Sequence, residues 1–348
     1  MDIAFVTGGT GFVGANVVRT LLQKKLTVRA LVRKESNLRN LVGLPVELVE
    51  GDLLDRQSLK AGCKGARYVF HAAADYRIWV PDPKSMIASN VHGTVNVVEE
   101  AQAAGAERIV HCSSVAAIRP PKEDVLAPST EGCFYESPDD IVGAYKKSKW
   151  LSEKAVLDLA RTGAPVVIVS PTAPIGPFDA KPTPTGRIIV DFLNSRMPSY
   201  IDTGLNLVHV RDVAEGFWLA AQRGRIGERY ILGGQNLTLK QGLDLLAQVS
   251  GLPSPRFKTP YSLAYAFALL DTTRAKLTGR EPMAPLDAVR MARYRMFYDS
   301  SKAVNELGLP QTSARAAFED AVSWFVSNGY APAPPALRKA PALGGEAA

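Results

Sequence analysis

The chain has 348 residues, of which 46% are hydrophobic and 22% charged; this length and balance exclude a disordered or collagen-like chain and fit one large α/β domain with a smaller lobe, or two domains. Forty-one Lys and Arg against 34 Asp and Glu give a net charge of +7, which favours an anionic ligand. The charges are scattered without long like-charge runs, so no nucleic-acid partner is expected.

Cys63, Cys112 and Cys133 leave one thiol unpaired in any disulfide scheme and show no CxxC spacing, which points to reduced thiols and a cytoplasmic setting. The apolar run from Ile3 to Val6 starts without a basic leader, so no signal peptide is expected. Residues 263–270, ended by Asp271, reach about half the length that crosses a bilayer, so no integral membrane segment is expected.

In chain order, residues 3–7, 28–32, 46–50, 68–71, 108–113 and 166–169 read as strands, each followed by a turn and a helical segment. This rhythm predicts an α/β fold, a Rossmann-type doubly wound parallel sheet. Pro171, Pro174, Pro177, Pro182 and Pro184 then mark a crossing to a smaller, mostly helical lobe. Segments 206–210 and 229–232 read as further short strands, and helical patterns dominate from Lys240 to Phe325. The expected division is 1–170 with returning segments near 205–235 for the dinucleotide-binding domain, 171–204 and 236–330 for a substrate lobe, and a disordered tail over 331–348.

Thr7-Gly8-Gly9-Thr10-Gly11-Phe12-Val13-Gly14 ends the first strand and opens the first helix, the context a dinucleotide fingerprint requires. Glycine lets the main chain approach a pyrophosphate, whose charge meets amides and the helix dipole. Two registers fit, Gly9, Gly11 and Gly14 or Gly8, Gly11 and Gly14, and the sequence leaves them unordered. At the end of the second strand, where an acid would hold a free ribose hydroxyl, stand Arg33 and Lys34, followed by Glu35; the cations favour NADP over NAD.

Tyr145 and Lys149 lie four residues apart, on one face of a helix. A nearby ammonium favours phenolate, so Tyr145 is expected to be drawn toward neutrality as a general acid or base. Tyr298-Asp299-Ser300-Ser301-Lys302 repeats the spacing late in the chain, but with Asp299 or Ser300 suited to capping a helix it reads as structural. Ser114 ends a predicted parallel strand 31 residues before Tyr145 and can orient a substrate oxygen, with Ser113 as the competing choice.

Other residues carry weaker signals. His71, His92, His111 and His209 form no metal-ligand pattern, so no metal is expected, and His71 and His111 read as satisfied core residues. Tyr76 and Trp79 follow the fourth strand and could stack on a substrate ring. Arg187 could grip a phosphate or carboxylate, whereas Arg211, next to Asp212, reads as an ion-pair partner. Residues 261–270 read as a core helix, with a lid or a wall for a hydrophobic substrate as the alternative.

The glycine loop, Asp52-Leu53, Ala72-Ala73-Ala74, Ser114 and Tyr145 with Lys149 together resemble the extended short-chain dehydrogenase/reductase family over roughly residues 1–330. The resemblance implies that Asp52 and Leu53 border adenine, Ala72, Ala73 and Ala74 the cofactor bridge, Lys149 the nicotinamide ribose, and Pro171 and Ile175 the nicotinamide. Val28-Arg29-Ala30-Leu31-Val32-Arg33 is similar to the dihydroflavonol 4-reductase branch, which uses NADPH. Ala74-Asp75-Tyr76-Arg77-Ile78-Trp79-Val80-Pro81-Asp82-Pro83, the run from Lys181 to Asp191 and the run from Asn206 to Val213 resemble bacterial hopanoid-associated sugar epimerases, which leaves the substrate open. Where 4,6-dehydratases of this fold carry acids after the active-site hydroxyl, Val115-Ala116-Ala117 follow Ser114 here, which disfavours dehydration.

The expected activity is therefore hydride transfer between a nicotinamide and a carbonyl or carbinol carbon, with Ser114, Tyr145 and Lys149 as catalytic residues. An epimerase with tightly held NAD is the alternative, and a non-catalytic NADP sensor a further one. The expected partner is a small carbonyl or sugar substrate, and a homodimer is left open.

Overall fold

In the computed structural model, which describes residues 1–80, 82–121 and 127–338, the short apolar runs of the first half lie side by side. The strands are β1 (Ile3–Thr7), β2 (Thr27–Val32), β3 (Val46–Glu50), β4 (Ala66–His71), β5 (Arg108–Cys112), β6 (Val166–Pro171), β7 (Ala173–Ile175), β8 (Ser199–Tyr200), β9 (Gly204–His209), β10 (Arg229–Leu232), β11 (Gln235–Thr238), β12 (Phe257–Lys258) and β13 (Arg295–Met296). The helices are α1 (Phe12–Gln23), α2 (Arg56–Cys63), α3 (Pro83–Ala103), α4 (Ala144–Arg161), α5 (Pro184–Leu193), α6 (Val210–Arg223), α7 (Leu239–Ser250), α8 (Tyr261–Thr278), α9 (Leu286–Met291), α10 (Ala314–Ser327) and α11 (Pro335–Arg338). Among the described residues a seven-stranded parallel sheet runs β10-β6-β5-β4-β1-β2-β3. Chain order reverses between β1 and β4, the point where such sheets open a crevice.

Both faces of this sheet are covered, as parallel strands require. Ala4, Val6, Val28, Ala30, Val110, Val167 and Val169 pack with Val17, Val18 and Leu21 of α1 and Phe217 of α6. Phe5, Leu31, Val69, Ile109 and Ile168 face Leu59 of α2, Val97 and Val98 of α3 and Val156 of α4. Each fully buried Leu, Val or Phe side chain contributes about 1.5–3 kcal/mol. The packing is close: a Cβ on Gly62 would stand 2.4 Å from the Phe5 ring.

Three expectations need correction. No helix follows β2: residues 33–45 reach β3 through turns, Leu41 N to Leu38 O at 2.7 Å and Leu44 N to Leu41 O at 3.1 Å, because Gly43 (φ +76°) and Pro45 interrupt the segment while Leu38, Leu41 and Leu44 anchor it to the core. The strand expected over 206–210 is β9, which centres a separate sheet with β7, β11 and β13; only β10 joins the main sheet. The tail expected to be disordered from Ala331 instead forms α11 at Pro335–Arg338 beside Gly251 at the end of α7, where Ala336 N would lie 3.3 Å from an added Cβ. The rest of that tail, 339–348, and Pro81 of the quoted 74–83 motif lie outside the described residues.

The second lobe has its own core. Ile189, Phe192 and Leu193 of α5, Leu243 and Leu246 of α7, and Phe318, Val322 and Phe325 of α10 pack together. The proline-rich crossing leads into α5 with Thr183 as N-cap, its hydroxyl accepting Gly186 N at 3.2 Å, and Pro184 in the first turn where no amide partner is needed.

Candidate active site

The β1–α1 turn requires its glycines. Gly8 has φ +75°, and a Cβ there would lie 2.5 Å from Ala73 N. A Cβ on Gly14 would lie 2.1 Å from Gly8 O, while Gly11 N donates to that same oxygen at 3.0 Å. Gly9 would meet only side chains, the nearest at 3.3 Å. The tightly constrained glycines are thus Gly8 and Gly14, both of which belong to the register of Gly8, Gly11 and Gly14. The helix that begins at Phe12 has Gly11 as N-cap and no side-chain cap, which leaves its first-turn amides for an anion, with Phe12 buried and Val13 packed against the core. These residues fit a pyrophosphate.

Two residues that sequence reasoning missed hold this turn. Asn40 Nδ2 donates to Thr10 O at 3.1 Å and to Phe178 O at 3.0 Å, and Asn16 Nδ2 donates to Phe12 O at 2.9 Å and to Pro177 O at 3.1 Å. Both amides clamp the cradle to the second-lobe crossing. The one local signal was a polar Asn16 amid the apolar residues of α1.

The other expected cofactor residues line the same carboxyl edge of the sheet. Arg33 and Lys34 are exposed beyond β2, where Arg33 N donates to Ser36 Oγ at 3.0 Å. After β3, Asp52 accepts Leu54 N at 2.9 Å and Leu53 packs on Gly93 of α3, 2.8 Å from its absent Cβ. Ala72 N donates to Thr7 O at 3.1 Å, Ala73 N to Thr7 Oγ1 at 3.4 Å, and Ala74 follows, partly buried. Pro171 ends β6. Ile175, 2% exposed, is packed in the second-lobe core with Ile189 and Phe318.

Tyr145 and Lys149 sit on the first turns of α4, which starts after Gly143 (φ +86°). The Ser114 side chain stands beside the Tyr145 phenol, its Oγ accepting Ala116 N at 3.1 Å. Burial pushes the phenol up to about 12, and the Ser114 contact pulls the other way. The expected lowering by Lys149 is not what the geometry gives: Lys149 Nζ donates to Cys112 O at 2.7 Å, and burial lowers this ammonium instead. Lys146, also missed, is 7% exposed and pushed down to about 8 by burial. It shares a crevice with Ile78, Val142, Gly143, Tyr145, Asp287 and Met291.

The two serines differ in their partners, because Ser113 belongs to a buried charge network. Ser113 Oγ donates to Glu153, which is ion-paired to Arg229, while Arg229 Nη1 also donates to Glu131 O at 3.0 Å. Ser113 is therefore committed, and Ser114 is the hydroxyl at Tyr145. A second support ties the loop after β4 to α4: Asn90 Nδ2 donates to Asp75 O and to Ser148 Oγ, both at 2.9 Å, and Ser148 Oγ donates to Tyr145 O at 2.7 Å.

The histidines differ from one another. His71 is satisfied, with Nδ1 2.7 Å from Thr7 Oγ1 and Nε2 2.9 Å from Thr94 Oγ1. His111, expected to be satisfied, is not: both ring nitrogens lack a hydrogen-bond partner, because its strand neighbours present His71 on one side and Ile168 on the other. Burial holds both imidazoles neutral, His71 down to about 3 and His111 well below the usual range.

Of the substrate candidates, Tyr76 is 36% exposed with its hydroxyl 3.5 Å from Lys181 O, and Trp79 is partly buried on the same loop. Arg187 is not among the residues of the Tyr145 crevice; it is mostly exposed and pairs with Asp191 on its own helix at 3.5 Å. Arg211 forms its ion pair with Asp320 rather than with Asp212, which accepts Thr312 N at 2.7 Å. Tyr298, 3% exposed, is structural: its hydroxyl reaches Val115 O at 3.4 Å, and Asp299 accepts Ser301 N at 2.8 Å.

Comparison with known proteins adds to this geometry. The NAD dependent epimerase/dehydratase family matches residues 4–233. A Synechocystis sp. protein named for dihydroflavonol 4-reductase is 48% identical, covering 94% of this chain and 96% of its own length. Sterol demethylase protein B of Methylococcus capsulatus is 37% identical, covering 93% and 98%. The crystal structure of gox2253 is 44% identical, with a TM-score of 0.84, covering 95% of this chain and 100% of that one. The fold, the glycine cradle and these likenesses agree: the chain belongs to the NAD-dependent epimerase/dehydratase family of extended short-chain dehydrogenases/reductases.

Proposed function

We propose that the chain is an NADP-dependent reductase of a small carbonyl substrate, with Tyr145 as proton donor. The placement of Ser114 beside Tyr145, with Lys149 one turn on along the same helix, at the sheet edge that carries the glycine cradle, is the observation that supports this most. A nicotinamide, when bound, supplies the hydride. Ser114 orients the carbonyl oxygen and Tyr145 gives it a proton; a phenol pushed up to about 12 is protonated at neutral pH and so starts in the donor state. Lys149, held by Cys112 O, supports the ribose, and Asp52, Leu53 and Ala72 to Ala74 border the rest of the cofactor. Arg33 and Lys34 are exposed cations at the ribose end, chemistry suited to a 2′-phosphate. Tyr76 and Trp79 would flank the substrate.

The reading is tested by identifying the nucleotide retained on purification by mass spectrometry and by following NADPH with a panel of aldehydes and ketones. Stoichiometric NADPH loss, faster than with NADH, is expected. Tightly retained NAD with no net NADPH loss would replace the reductase with an epimerase. Stoichiometric NADP binding without turnover of any substrate would replace it with a sensor.

A further inference from the structure

The helix expected over 261–270 to be core, α8, instead turns large apolar side chains outward. On α8, Leu263 is 63% exposed, Phe267 52%, Leu270 72% and Leu277 83%. Their spacing of four, three and seven residues puts them on one stripe of the helix, while Ala264, Ala268 and Ala275 form the inner side. The inner side is packed on Val289 of α9, so the stripe is not needed to hold the hairpin together. An outward row of this size marks a contact surface.

The charge around it says which kind. Residues 256–295 carry eight Lys and Arg against three Asp and Glu, and although Lys258 and Arg295 pair with Asp202, Arg274 with Asp271 and Arg290 with Asp287, the balance stays positive. Arg274 on the stripe is paired with Asp271 at 2.7 Å, and Lys276 and Arg280 are exposed at its far end. Two copies meeting along α8 would bring like charges together, whereas an anionic surface is complementary to both the stripe and its flanks. No helix among the described residues is long and apolar enough to cross a membrane.

We propose that α8 is a docking face for an anionic phospholipid bilayer, its Leu and Phe side chains entering the interface and Lys276 and Arg280 reaching the phosphates. The proposal does not depend on the chemistry at Tyr145. It does place the docked hairpin beside the crevice, since Asp287 and Met291 of α9 line it together with Tyr145.

The test is flotation of the full chain with vesicles of phosphatidylcholine alone or mixed equally with phosphatidylglycerol. Binding to the mixed vesicles only, weakened by high salt, is expected. Phe267→Glu with Leu270→Glu should abolish it, and Lys276→Glu with Arg280→Glu should lower it about tenfold or more. Circular dichroism melting confirms that each variant is folded, and the second pair, being polar to polar, keeps the test open should the first misfold. Equal binding to neutral vesicles, no binding to either, or binding that survives both pairs would overturn the proposal. So would a dimer in light scattering that Leu270→Glu dissociates, which would show that a second copy covers the stripe.

Discussion

The Ser113 hydroxyl donates to the Glu153 carboxylate, and this contact leaves the adjacent Ser114 as the hydroxyl that meets Tyr145. Two consecutive serines thus divide into a buried anchor and a partly buried neighbour of the phenol. The division predicts different losses. Ser114→Ala should lower kcat by about 100-fold, as expected for loss of one donor at the reacting oxygen. Ser113→Ala should leave kcat within about threefold and lower stability by about 1 kcal/mol. Steady-state kinetics and denaturant melts of the two variants check this, and equal kcat losses would contradict it.

Glu153 and Arg229 are 1% and 6% exposed, so each neutralises a charge that water does not reach. Removing one partner strands the other. Glu153→Leu should destabilise the fold by about 3–5 kcal/mol, because the Arg229 cation is left buried and unpaired. Replacing both residues together by apolar ones should recover part of that loss. Urea unfolding of the single and double variants measures the difference, and an unchanged single variant would remove the network from the account.

His111 predicts the opposite sign. Its imidazole makes no hydrogen bond and is held neutral by burial, so an apolar residue of similar size removes a polar cost without orphaning a partner. His111→Leu should raise Tm. It should also reduce acid sensitivity. A buried histidine whose folded value is depressed binds fewer protons than in the unfolded chain, so stability falls as pH drops below about 6.5. His71, brought down to about 3, would still contribute that loss between about 6.5 and 3. Thermal melts at pH 7 and pH 5 for the chain and the variant test both statements.

Much of this site was legible in the sequence because its signals are local. Gly8, Gly11 and Gly14 follow an apolar run directly, and Tyr145 and Lys149 are one helical turn apart. Both readings needed only the period of a strand or helix. The seven strands were largely legible for the same reason. What escaped depends on distant segments. The Glu153 and Arg229 pair joins a helix to an edge strand 76 residues later, and Asn40 bridges from the β2–β3 crossing to Phe178. The direction in which Lys149 points is likewise set by a carbonyl on β5, not by its spacing from Tyr145. The neutral pull expected on the phenol therefore did not follow from the motif.

The measurement that bears most directly on Tyr145 as proton donor compares Tyr145→Phe with the unaltered chain in both NADPH affinity, by fluorescence titration, and single-turnover reduction of a carbonyl substrate. The ring and the glycine cradle remain in the variant, so Kd for NADPH should change by less than about threefold while the reduction rate falls by about 100-fold to 10,000-fold. An unchanged rate would show that the proton reaches the substrate by another route.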